Sequence, residues 1–211
     1  MDTVIIGAGG HGKVVLDVLQ CEGKHRVVGF LDADAQLHGT TVAGIPVIGG
    51  INQLLRLKQQ KVRGAIIAIG DNRVRQQYAR EAVEAGLDLL TAIHPSATVA
   101  RSATVGNNVL IAAKAVVCPD ARIGNSVIIN TAAVVDHECV IEDAVHVAPG
   151  AMLAGRVRIE ESAFIGMGAC IIQCLTVGAR TVVGAGAVVR ADLPADVVAV
   201  GVPARIIKQN A

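Results

Sequence analysis

The stretch Val135-Asp136-His137-Glu138-Cys139-Val140-Ile141-Glu142-Asp143-Ala144-Val145-His146-Val147-Ala148-Pro149-Gly150-Ala151-Met152-Leu153 samples a rule that runs from Ile93 to Val189. Every sixth residue is aliphatic. Ile93, Val99, Val105, Ile111, Val117, Ile123 and Ile129 precede Val135, Ile141, Val147 and Leu153, and Ile159, Ile165, Ile171, Val177, Val183 and Val189 follow, seventeen positions without a miss. Four residues after most of them sits something small or modest, such as Ala133, Cys139, Val145, Ala151 and Val157. A period of six fits neither the 3.6 of a helix nor a hairpin meander, and self-similarity at a fixed short period signals a solenoid.

The hexad rule resembles the left-handed parallel β-helix of the hexapeptide-repeat acyltransferases. That resemblance implies three hexads per triangular coil, the aliphatic residue filling the prism and the small residue beside it at a tight corner. Seventeen hexads make nearly six coils, a prism roughly 27 Å long at the spacing of neighbouring strands.

With 211 residues the chain has length for a large core, and 19 Lys+Arg against 18 Asp+Glu argue against nucleic acid as a partner. Phe30, Phe164 and Tyr78 are the only aromatic residues, which leaves no platform for stacking bases. Gly and charge interrupt the apolar residues before any run reaches the 18 or so needed to span a bilayer. The start, MDTVIIGAGG, lacks the basic and long apolar segments of a signal peptide, so a soluble cytoplasmic protein is expected. The five cysteines form no CxxC pair, and Cys139 occupies an inward slot where its expected work is packing.

Residues 1–92 do not follow the hexads. Strands are expected over Thr3–Ile6, Arg26–Leu31, Pro46–Ile48, Gly64–Ile69 and Leu87–Ile93, and helices after Gly12, over Ile51–Lys61 and over Asn72–Ala85; Ala33–Gly44 reads as loop. This predicts a small α/β domain with a short parallel sheet, a Rossmann-like half, over 1–92, and a β-helix domain with a C-terminal tail over 93–211. His94-Pro95-Ser96 marks the join, since proline disfavours helix at the residue before it.

Gly7-x-Gly9-x-x-Gly12 follows a strand and opens a helix, with Asp32 twenty residues after Gly12, so the dinucleotide fingerprint is satisfied and an NAD-dependent oxidoreductase is one reading. The unit is about half of a complete dinucleotide fold, however, and a solenoid follows it. Glycines that admit a close backbone approach and a helix N-terminus that favours an anion suit a nucleotide diphosphate sugar equally well.

Gly7-Ala8-Gly9-Gly10-His11-Gly12, Leu31-Asp32, Ala68-Ile69-Gly70-Asp71-Asn72 and Asp136-His137-Glu138-Cys139-Val140-Ile141 together resemble the PglD/NeuD-type nucleotide-amino-sugar N-acetyltransferases over essentially the whole chain. The resemblance implies that Gly9, Gly10, His11, Asp32 and Gly70 contact the nucleotide sugar and that acetyl-CoA is the co-substrate, with no metal. It also implies a homotrimer whose active sites lie between neighbouring prisms. A UDP-linked 4-amino-4,6-dideoxy sugar is the favoured acceptor, with GDP- or dTDP-linked ones close behind. Some relatives are sialic acid O-acetyltransferases, which keeps O-acetylation as the alternative.

Within its hexad His137 avoids both inward slots, so it faces outward or sits at a corner, and His146 is expected to point outward from a flat face. An ammonium cannot attack a thioester, so a base must take its proton, and His137 suits that role. Glu138 resembles the family's acidic partner of that histidine; Asp136 is its rival. The resemblance further places His146 and Met167 with Gly184 and Ala185 near acetyl-CoA, and Gly155 as a backbone donor to the oxyanion. Ala185 departs from the glycine common there. Asn130 is a candidate for orienting the acceptor. Zinc held by prism histidines, as in γ-type carbonic anhydrases, fits poorly with His137 and His146 nine apart, and a non-catalytic scaffold leaves the Asp-His-Glu corner unexplained.

Overall fold

A computed structural model describes residues 1–210. The chain divides between Pro95 and Ser96 into two compact units.

The first unit comprises β1 (Asp2–Ile6), α1 (Gly10–Glu22), β2 (Arg26–Leu31), β3 (Thr41–Val42), β4 (Ile45–Gly49), α2 (Leu54–Gln59), β5 (Gly64–Ile67), α3 (Asn72–Glu84), β6 (Asp88–Leu89) and β7 (Ala92–Ile93). The sheet order is β3-β4-β2-β1-β5-β6. All neighbours are parallel except β3 and β4. That one hairpin lies where the sequence predicted loop: Ala43 (φ 48°) and Gly44 (φ 79°) supply the two left-handed residues of a tight two-residue turn. The helix expected over 51–61 keeps only Leu54–Gln59 as α-helix, behind a short 3-10 turn, and the strand expected over 87–93 breaks into β6 and β7. α1 closes on Gly23 (φ 67°), whose N–H bonds Leu19 O. Asp71 caps α3 by accepting from the N–H groups of Arg73 and Val74 at 2.9 Å each.

In the second unit three parallel sheets wind into a left-handed β-helix. Ile111 pairs with Ile129, Ile129 with Val147, Val147 with Ile165, and Ile165 with Val183, each step spanning eighteen residues or three hexads. Val117, Val135, Leu153, Ile171 and Val189 build the second face in the same register, and Ile123, Ile141, Ile159 and Val177 the third. All the aliphatic positions from Ile111 to Val189 are buried, each contributing roughly 1.5–3 kcal/mol over exposure; Val99 and Val105, on the first coil, are only half-buried.

The corner differs from expectation. Chain reversal falls on the residue three after each aliphatic position, and the small residue at the fourth lies inside. Every sixth residue from Asn108 to Gly186 has φ between 55° and 68°. From Ser126 to Gly186 the N–H of each corner residue bonds a carbonyl of the coil below, as from Ser126 to Asn107 O (2.8 Å), Glu138 to Pro119 O (3.0 Å) and Arg156 to His137 O (2.9 Å), whereas Lys114 and Asp120 bond the hydroxyls of Ser96 (3.2 Å) and Ser102 (3.1 Å).

The predicted tail is structured. Val197–Val200 pairs parallel to Val182–Val183 and then antiparallel to Arg205–Gln209. Among the described residues no helix is long and apolar enough to cross a membrane.

Candidate active site

Around the glycine-rich turn lies a cavity of about 360 Å³ whose wall includes Gly9, Gly10, His11, Asp32 and Gly70, all five residues expected of a nucleotide-sugar site. The glycines divide the work. A Cβ on Gly7 (φ +112°) would stand 2.6 Å from Ala68 O, and one on Gly12 2.1 Å from Gly7 O, so these two let α1 press against the β1 and β5 strand ends. Gly9, Gly10 and Gly70 have no neighbour within 4 Å of such an atom and leave open space on the cavity side. The first N–H groups of α1 have no side-chain cap at Gly9 and suit an anion.

Asp32 does more than wait for a ligand. Its Oδ2 accepts from the Ala8 N–H at 2.7 Å and its Oδ1 from the Asp34 N–H at 2.9 Å, which braces the turn from the end of β2. Burial first, and then the charge of Arg75, push His11 down to about 4, so its ring is neutral at ordinary pH.

Arg75 and Tyr78 escaped the sequence reading. Arg75 is fully buried. Its Nη1 donates to Ile69 O (2.9 Å) and Gly70 O (3.1 Å), and its Nη2 to Asn72 Oδ1 (2.7 Å), so it fixes the loop carrying Gly70. Its sequence signal is a charge in helical register with buried Ala79 and Ala82. Tyr78 puts an aromatic ring in the cavity wall despite the chain's poverty in aromatics.

On the prism, His137 stands at a corner with about half of its side chain exposed. Its Nδ1 lies 3.0 Å from Glu138 Oε2, whereas Asp136 Oδ1 accepts from the His137 backbone N–H at 2.7 Å. The ring therefore meets Glu138, and Asp136 is engaged elsewhere. The same Glu138 Oε2 accepts from Arg156 Nε at 2.9 Å. Arg156 foremost, with His137, holds the Glu138 carboxyl below the usual carboxylate range. Arg156 was not foreseen, yet it lies eighteen residues after Glu138, one coil on.

Gly155 stands in the same relation to His137. A Cβ there would lie 2.5 Å from both Nε2 and Cε1 of the His137 ring, so the ring occupies the space that only glycine leaves. Among the described residues the Gly155 N–H has no acceptor within the chain.

His146 takes the expected outward register on its face yet is only 8% exposed. It belongs to an outward column of Leu110, Ile128, His146, Phe164 and Val182. Phe164 meets its ring edge-on at 5.1 Å. Asn130 Nδ2 lies 3.1 Å from His146 Nε2; because Asn130 Oδ1 accepts from the Thr131 N–H at 2.8 Å, the amide NH₂ is the end that faces the ring. Two sequence candidates are thus joined.

Cys139 is buried, bonds Ala154 O, and is pushed up to about 11 by that burial, as a packing thiol should be. Met167 is 61% exposed and shares with Ala185 an edge other than that of His137 and Gly155. One prism face, Val134–Val135 through Val188–Val189, separates the two edges. Gly184 is a packing glycine, since a Cβ there would stand 2.7 Å from Val200 Cγ1. One chain therefore gathers His137, Glu138, Arg156 and Gly155, and leaves Met167 and Ala185, expected near acetyl-CoA, on another edge.

His11 sets a pH dependence of stability. Its folded value lies below the unfolded value of 6.5, so the unfolded chain takes the proton first and stability falls as pH drops from about 6.5 toward 4. The loss reaches at most about 3 kcal/mol, since each tenfold change in proton affinity is worth about 1.4 kcal/mol. Urea unfolding across this window should show it in the native chain and a flatter profile in His11→Gln; identical profiles would contradict the assignment.

The family model described as the PglD N-terminal domain matches residues 2–82. A curated relative, UDP-N-acetylbacillosamine N-acetyltransferase of Bacillus subtilis, is 39% identical over 116 residues, 53% of this chain and 51%, about half, of the relative's length. The crystal structure of PerB from Caulobacter crescentus in complex with CoA and GDP-perosamine is 45% identical, covers 99% of this chain and 98% of its own, and superposes with a TM-score of 0.94. The acetyltransferase domain of PglB from Neisseria gonorrhoeae in complex with acetyl-CoA is 40% identical over 98% of both chains, with a TM-score of 0.90. The glycine-rich cavity and the His-Glu corner thus stand on a backbone shared from end to end with these enzymes, and the chain belongs to the PglD-type family of hexapeptide-repeat nucleotide-amino-sugar N-acetyltransferases.

Proposed function

We propose that the chain transfers the acetyl group of acetyl-CoA to the 4-amino group of a nucleotide-linked amino-dideoxy sugar. The observation that carries this reading is the His137 ring lodged over Gly155, with Nδ1 on Glu138 and Nε2 beside the Gly155 backbone. The cavity at the glycine turn takes the nucleotide: the α1 N-terminus meets the diphosphate, and neutral His11 and the Asp32 carboxylate offer directional hydrogen bonds.

At the corner, Glu138 accepts the Nδ1 proton and so leaves Nε2 as the basic nitrogen. Nε2 takes a proton from the amine as the amine nitrogen forms its bond to the thioester carbonyl carbon. The charge that develops on the carbonyl oxygen is met by the Gly155 N–H. The C–S bond then breaks, and the leaving thiolate receives the proton from His137. The products are an amide and CoA.

The relatives divide between a GDP-linked and a UDP-linked sugar, so acceptors carrying either nucleotide are candidates for this chain. Acetyl-CoA with UDP-, GDP- or dTDP-linked 4-amino-4,6-dideoxy sugars should give an amide with a UDP- or GDP-linked acceptor, seen as one added acetyl group by mass spectrometry. His137→Ala and Gly155→Ala should each lower kcat by about 100-fold or more with the fold intact, general bases contributing 10²–10⁴-fold. A base-labile ester product would favour the O-acetyl reading, and near-normal turnover in His137→Ala would end the base assignment.

The separation of the His137 edge from the Met167 and Ala185 edge supports a homotrimer in which a neighbouring prism completes the acetyl-CoA groove. Sedimentation of the native chain should give a trimer; an active monomer would refute it.

A further inference from the structure

In the first unit, α1 carries Asp17 and Cys21 one turn apart on its exposed side, over the last two turns before Gly23. β7 packs against α1, and the residue that follows β7 is His94. That packing brings an imidazole to a carboxylate and a thiol that lie far from it in sequence. The ligand atoms of Asp17, Cys21 and His94 all lie within 4.8 Å of one another.

We propose that Asp17, Cys21 and His94 bind one zinc ion, at a site that shares no residue with the nucleotide cavity or the His137 corner. Thiolate, imidazole and carboxylate are the donors that zinc prefers, whereas magnesium and calcium select oxygen alone. Bonds of about 2.0–2.3 Å place tetrahedral donors roughly 3.3–3.7 Å apart, so donors already within 4.8 Å of one another need to close by at most about 1.5 Å. On binding, the Cys21 thiol releases its proton. The thiolate and the Asp17 carboxylate then balance the two charges of the ion, and His94 binds as a neutral ring.

With three protein ligands the fourth position goes to water, consistent with the exposure of Asp17 and Cys21. The ion would clip the second half of α1 to the segment after β7, and binding to the folded form alone would raise stability by mass action. Sequence spacing hid the group, because zinc signatures pair ligands within short motifs and His94 joins the other two only through packing.

The test is a titration of the reduced, metal-free full chain with Co²⁺. One equivalent should produce a near-ultraviolet thiolate-to-cobalt band with the visible bands of tetrahedral cobalt, and Zn²⁺ should bleach both. Cys21→Ser should abolish the thiolate band, and Asp17→Asn and His94→Gln, which remove direct ligands, should each weaken binding by at least the roughly 10–100-fold that follows loss of a mere outer-shell partner. Cys174→Ser, which removes an exposed thiol elsewhere, should leave the titration unchanged. Because Asp17 and Cys21 are exposed, their variants should keep the native circular dichroism. Absence of the thiolate band at one equivalent, or its persistence in Cys21→Ser, would overturn the site.

Discussion

The bond from the left-handed corner N–H to the coil below, to a carbonyl at every corner from Ser126 to Gly186, is the constraint on which the prism depends. It fixes the coil at eighteen residues and leaves no freedom in which residue stacks on which. For a non-glycine residue that backbone costs roughly 1–2 kcal/mol, and most corners here are not glycine. From Ser126 to Gly186 the cost is offset by the hydrogen bond itself and by the buried aliphatic residue three positions earlier. Asn108 and Asp120 are side-chain types that tolerate this backbone well, while Lys114, Glu138 and Arg156 are held in it by their coil.

The same spacing builds the reactive edge. Gly155 lies eighteen residues after His137 and Arg156 eighteen after Glu138, so the ring finds space and the carboxylate finds a cation because one coil rests on another. Glu138 serves two neighbours through one oxygen. Arg156 and His137 both draw on that carboxylate, and Arg156 foremost holds it below the usual carboxylate range.

The aliphatic period read directly as a parallel solenoid because a fixed register of buried side chains leaves its mark in the one-dimensional chain. The residues that line the glycine-turn cavity were legible for a different reason: Gly9, Gly10, His11, Asp32 and Gly70 sit at strand ends and turns, where a parallel sheet gathers its loops. Arg75 and Tyr78 were missed because helix register, and not a motif, brings Tyr78 to the cavity wall and Arg75 to the loop that carries Gly70. The burial of His146 is not legible, because a hexad tells inward from outward but does not tell that Phe164, one coil on, packs edge-on against the ring. Arg156 was within reach of arithmetic alone, had Glu138 been advanced by one coil. The β3–β4 hairpin was hidden by Ala43, a residue that seldom adopts a positive φ.

The proposed arrangement, in which the Glu138 carboxylate held by Arg156 orients the His137 base, is tested most directly by kcat and KM in the native chain and in Glu138→Ala. Loss of the carboxylate should lower kcat and leave KM for the nucleotide sugar nearly unchanged, with a smaller fall in Arg156→Gln. Native kcat in Glu138→Ala would contradict that role.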